Sequence, residues 1–178
     1  MVDAAPLSAP DGPKVPAKSV MTLCTQLAEV LLREKLKLAT AESCTGGLIA
    51  AACTELSGSS AWFERGFVSY SNDAKSEMLG VDAGLIERHG AVSEEVVRAM
   101  AYGAVAHSRA QIAVAVTGVA GPSGGSKDKP VGTVWFGWNI LGQLYSELRH
   151  FDGDRAAVRA ATVRHGLQRL LEHLGQAT

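Results

Sequence analysis

Apolar residues first recur with helical spacing just after position 19. Val20, Leu23, Cys24, Leu27, Val30 and Leu31 fall on one face of a helix that Ser19 can cap. Residues 36–41 then alternate apolar and polar and predict a strand. It runs directly into "ESCTGG", after which "LIAAACTEL" is helix-forming. "AWFERGFVSY" (61–70) is rich in aromatic and β-branched residues and predicts a strand ending near Tyr70, followed by a short helix at "NDAKSEML". Ser93 with Glu94 and Glu95 marks another helix start by cap and dipole, with Val96, Val97, Met100 and Ala104 on one face to about His107. "QIAVAVTG" (111–118) is almost wholly apolar, as expected of a central strand covered on both faces. Residues 131–139 and 143–150 flank "LGQ" as a hairpin that extends the sheet antiparallel. A last helix starts near Asp154 and carries Val163, Leu167, Leu170, Leu171 and Leu174 at core spacing.

Strands alternating with helices predict an α/β fold: one domain over 19–178, a three-layer α/β/α sandwich with a mixed sheet. Residues 1–18 hold four prolines and no apolar block flanked by basic residues, so they read as a flexible arm rather than a signal. Sites in such folds gather at the carboxyl ends of strands. Three such ends carry suggestive chemistry: around Ser43, around Tyr70 to Lys75, and around Thr117 to Gly125.

Composition narrows the partners. The chain has 178 residues, 47% of them apolar, and its 17 basic residues face 18 acidic ones without a long run of either sign. That gives no electrostatic footprint for nucleic acid or an anionic membrane, and no apolar run is long enough to span a bilayer. A small-molecule partner is expected. Cys24, Cys44 and Cys53 are odd in number and lack metal-type spacing, which predicts neither a disulfide framework nor a zinc site and suits a reducing cytoplasm.

Local reading leaves the chemistry open. Ser43 and the amides of Thr45, Gly46 and Gly47 suit a developing oxyanion, yet the same residues suit a simple helix cap. No spacing singles out His89, His107, His150, His165 or His173 as a base for the serine. A lysine held neutral by burial can replace histidine, and Lys75 sits at a strand-to-helix junction, though such a lysine is more often a solvated charge. Tyr70 precedes it by five residues, one more than in short-chain dehydrogenases, and no GxGxxG fingerprint occurs. Cys44 is a packed thiol or a nucleophile without an evident histidine. "GPSGGSK" lacks the phosphate-loop spacing of nucleotide triphosphatases but can form an anion-binding nest.

Taken together, "TAESCTGG" (40–47), "GSSAWFERGFVSYSNDAK" (58–75), "GAVSEEVV" (90–97), "VTGVAGPSGGSKDKPVGTVW" (116–135) and "GDRAAVR" (153–159) closely resemble the CinA C-terminal-domain family, in unbroken order over residues 20–174. Members of that family include amidases that hydrolyse the carboxamide of nicotinamide mononucleotide to nicotinate mononucleotide and ammonia, in pyridine nucleotide salvage. Some members carry an additional N-terminal molybdopterin-binding-like domain; this chain resembles the stand-alone form. The resemblance implies a serine amidohydrolase in which Ser43 attacks, Lys75 is the base and Tyr70 sits beside them. It further implies a site facing Thr117, with Ser60 and Arg155 as weaker candidates and Arg155 a partner for the substrate phosphate. No metal or cofactor is implied, and self-association is. The rival readings are a nucleotide-binding or regulatory module without turnover, and an amidase for another small carboxamide.

Overall fold

The computed structural model describes residues 18–177. The predicted arm at 1–18 lies, apart from Lys18, outside the described residues. Chain order is α1 (Val20–Arg33), β1 (Leu38–Glu42), α2 (Leu48–Thr54), a 3-10 turn (Ser59–Ala61), β2 (Phe63–Val68), α3 (Asn72–Leu79), α4 (Ala83–His89), α5 (Glu94–Ala106), β3 (Ile112–Gly118), β4 (Thr133–Ile140), β5 (Gln143–His150) and α6 (Arg155–Ala177). The sheet order is β2-β1-β3-β4-β5, with β1 parallel to β2 and β3, and β4 and β5 added antiparallel. The expected mixed sheet and the hairpin extension are both present.

Alternation along the strands divides the core into two layers. Leu38, Ile112, Val114, Val116, Phe136 and Trp138 point to the side covered by α1, α2 and α6. Ala39, Ala41, Ala113 and Ala115 point to the other, where α3, α4 and α5 supply the bulk. Each fully buried leucine, such as Leu27 or Leu167, contributes about 1.5–3 kcal/mol by leaving water. On the alanine side the helices come close: a Cβ on Gly103 of α5 would sit 2.0 Å from the carbonyl oxygen of Leu79, the last residue of α3. Glycine there lets α5 press on the helix that carries Lys75.

Strand directions decide what meets what. β1, β2 and β3 end at one edge of the layers, and because β4 reverses and β5 reverses again, β5 ends there too. The starts of α2, α3 and α6 are therefore gathered at the same edge as Ser43, Tyr70 and Thr117. The sequence reading missed α4, which Asp82 caps through the N–H of Leu85 and Gly90 follows.

Candidate active site

Ser43 follows the last residue of β1, and its N–H donates to Val116 O of β3, which fixes the start of the turn against the central strand. The turn must then reverse into α2 within a few residues. Gly46 (φ +57°) and Gly47 (φ +100°) make that reversal in left-handed backbone, where a side chain would be strained. Ser43 is nearly buried, with 9% of its surface exposed.

Lys75 comes from α3, which Ser71 caps through the N–H of Ala74. Helical side chains tilt toward the N-terminus, so a lysine in the first turn reaches back over the segment that precedes the helix. Its Nζ lies 3.0 Å from Tyr70 O, 3.1 Å from Ser69 O and 3.2 Å from Ser43 Oγ. Only 1% of Lys75 is exposed. None of the ion pairs among the described residues involves it. Burial without a carboxylate pushes its pKa down, opposed by the neighbouring Cys44 thiol.

A neutral amine has two N–H groups and one lone pair. In the structure Nζ donates to Ser43 Oγ and the Ser43 hydroxyl faces Tyr70 O at 3.5 Å; once the amine is neutral and the two carbonyls take its two donors, the lone pair is left for the hydroxyl. The geometry thus matches a general base beside a nucleophile.

The other expected residues are placed as follows. Tyr70 contributes its carbonyl to Lys75, while its exposed ring turns outward and its hydroxyl lies 3.4 Å from Arg155 Nη2. Gly46 donates its N–H to Ser43 O, so it is already used as a donor. Of the three amides expected to line the oxyanion, those of Thr45 and Gly47 make no hydrogen bond among the described residues. The Thr45 hydroxyl is not free for a ligand either, because it donates to Glu42 Oε1 at 2.6 Å. Thr117 is buried at the end of β3, next to the Val116 carbonyl that accepts from Ser43, and its hydroxyl donates to Ala91 O at 2.8 Å rather than to Ser43 or Lys75. Ser60 lies in the 3-10 turn before β2, whereas Ser69 and Tyr70 follow that strand. About 20 Å of strand separates them, and within this chain Ser60 is exposed and not brought to the site.

Cys44 is 6% exposed, and burial pushes its thiol up to about 12, which keeps it protonated and poorly nucleophilic. Two residues that carry the site escaped the sequence reading. Glu42, fully buried, accepts from Thr45 Oγ1, from the N–H of Ile49 (2.8 Å) and of Ala50 (3.0 Å), and from Thr40 Oγ1 (3.4 Å). Arg159, one turn after Arg155 on α6, donates through Nη2 to Thr45 O at 3.0 Å.

A cavity of about 650 Å³ opens at the start of α6, lined by Ala120, Pro122, Val131, Gly153, Arg155 and Arg159 among others; Ser43 and Lys75 do not line it, and Arg159 links it to the 43–47 turn through Thr45 O. Arg155 also donates to Gly121 O at 2.9 Å, tying the glycine-rich loop to α6. Among the described residues no group of three or more His, Cys, Asp or Glu side chains is arranged to hold a metal ion. None of their helices is long and apolar enough to cross a membrane.

The family model of the CinA C-terminal domain matches residues 20–174. The chain belongs to the CinA C-terminal-domain family. It is 56% identical over 153 residues to the nicotinamide-nucleotide amidohydrolase PncC of Pseudomonas putida, covering 86% of this chain and 96% of that one. It is 48% identical over 160 residues to the PncC of Escherichia coli K12, covering 89% and 97%. Among solved structures, the competence damage-inducible protein A of Klebsiella pneumoniae superposes with a TM-score of 0.86 at 41% identity, covering 89% of this chain and 98% of that one. This CinA domain is thus matched nearly end to end by its relatives, and the matched span contains every site residue described above.

Proposed function

We propose that this CinA domain is a nicotinamide-nucleotide amidohydrolase that converts nicotinamide mononucleotide and water to nicotinate mononucleotide and ammonia, within pyridine nucleotide salvage. The observation that carries the reading is the buried Lys75 Nζ at 3.2 Å from Ser43 Oγ, in a chain nearly coextensive with two relatives named for that activity.

The chemistry follows from the geometry. Lys75 takes the hydroxyl proton as Ser43 Oγ attacks the carboxamide carbon, and the amides of Thr45 and Gly47 receive the oxyanion. Lys75 then returns the proton to the departing nitrogen, which leaves as ammonia, and an acyl ester remains on Ser43. Water, deprotonated by the same lysine, cleaves that ester and restores the serine. The nucleotide occupies the adjacent cavity, with its phosphate toward Arg155 and Arg159. Cations in the first turns of a helix oppose the usual dipole preference, and together with the positive helix end they concentrate positive potential at that position.

A cytoplasmic protein with three buried thiols and self-association, as the resemblance implies, belong to the same proposal. Light scattering on the purified chain tests the latter. Incubation with nicotinamide mononucleotide, read by ammonia release and by chromatographic detection of nicotinate mononucleotide, tests the reaction. Stoichiometric appearance of both supports it; nucleotide binding with no ammonia identifies a binding module instead.

A further inference from the structure

Glu42 is the only acidic side chain among the buried residues, and it has no cationic partner among those described. A carboxylate in that position is costly unless hydrogen bonds compensate it. Here four donors do. Each oxygen faces one hydroxyl, which can rotate, and one backbone N–H, which can only donate: Oε1 meets Thr45 Oγ1 and Ile49 N–H, and Oε2 meets Thr40 Oγ1 and Ala50 N–H.

These contacts do more than end a helix. The N-cap position of α2 is Gly47, whose φ of +100° suits glycine and supplies no capping side chain. The cap comes instead from position 42, across the turn, from the residue that precedes the nucleophile. It thereby joins both ends of the span 43–47 and holds Thr45 in the middle, while Arg159 grips the Thr45 carbonyl from α6.

We propose that Glu42 is a positioning residue of the reaction: its carboxylate fixes the 43–47 turn so that Ser43 Oγ and the amides of Thr45 and Gly47 keep the spacing a tetrahedral intermediate requires. This rests on Ser43 being the nucleophile, as proposed above. Glutamine has the same shape but the wrong pattern. Whichever way its amide is turned, the NH2 group faces the N–H of Ile49 or of Ala50, and no rotation relieves that donor–donor conflict.

The test uses the full chain, wild type beside Glu42→Gln and Thr45→Val, with folding followed by circular dichroism. Turnover of nicotinamide mononucleotide is one readout. The second is the rate at which a fluorophosphonate labels Ser43: Oγ bonds to phosphorus, fluoride leaves, Lys75 takes the proton, and mass spectrometry counts the adduct. For folded Glu42→Gln, kcat and the labelling rate fall about 10²-fold, a loss of the size seen for an oxyanion donor. KM and the midpoint of the acid limb of the pH profile stay in place, because Lys75 keeps its burial and its two carbonyl contacts, to Ser69 and Tyr70, with which the Glu42 carboxylate makes no hydrogen bond. Thr45→Val, which keeps both backbone contacts, loses about tenfold in both rates.

Wild-type rates in folded Glu42→Gln overturn the proposal, and if that variant does not fold, wild-type rates in Thr45→Val overturn it. A wild type that is labelled but releases no ammonia refutes the substrate reading alone, and the labelling rates still decide the role of Glu42. A wild type that does neither removes Ser43 as nucleophile and the proposal with it.

Discussion

Ser43 and Lys75 stand 32 positions apart in the chain and 3.2 Å apart in space, and two backbone carbonyls hold the lysine to that contact. A lysine engaged in this way is useful as a base only if it loses its proton. Lys75→Arg preserves charge and reach, but a guanidinium does not deprotonate in proteins. Turnover is expected to fall by about 10²–10⁴-fold in Lys75→Arg and in Lys75→Met alike, the range for losing a general base. Steady-state kinetics on folded variants checks it; an active arginine variant would reduce the lysine to a fixed positive charge.

Burial lowers the Lys75 pKa, and the sign carries through to both activity and stability. The neutral amine is the working form, so kcat/KM rises with pH through a midpoint below the ordinary 10.5. In the unfolded chain the lysine keeps its ordinary pKa and binds the extra proton between those two values. Stability from this group is therefore complete above 10.5 and is lost as pH falls through the lowered pKa. Chemical denaturation of wild type against Lys75→Met across that window is expected to show the upward slope only where the lysine is present.

Arg155 lines the cavity and bridges the glycine-rich loop and Tyr70, and its hydrogen bonds involve neither Ser43 nor Lys75; in the proposed reading it meets the substrate phosphate. Replacing it with alanine is expected to raise KM for nicotinamide mononucleotide by about 10–100-fold, the equivalent of one charge-assisted contact. The KM for nicotinamide riboside, which lacks the phosphate, should not change. Parallel kinetics on the two substrates separates loss of a phosphate contact from a general disturbance of the loop.

Period and composition made most of the scaffold readable. The 3.6-residue spacing located α1, α5 and α6, and the apolar run at 112–118 identified the central strand, because burial on both faces leaves no room for polar alternation. Helix α4 went unread: it is only seven residues long, and Ile86 is its only buried residue, so periodicity had almost nothing to register.

The site divided differently. Ser43 and Lys75 were recognisable through the family motifs, whereas two of the lysine's three contacts are the carbonyls of Ser69 and Tyr70, and backbone has no signature in side-chain identity. Glu42 did leave a signal, an acid at the inner end of a fully buried strand. Its meaning depends on donors seven and eight residues later, which only the folded turn brings together. Arg159 could have been found from Arg155, since residues four apart share a helix face.

The measurement that bears most directly on this account is ammonia release from nicotinamide mononucleotide by the wild type and by Ser43→Ala, with both folds verified by circular dichroism. The serine mechanism predicts release by the wild type and a loss of several orders of magnitude in the alanine variant. Equal release by both would contradict it, because the nucleophile would then be another group.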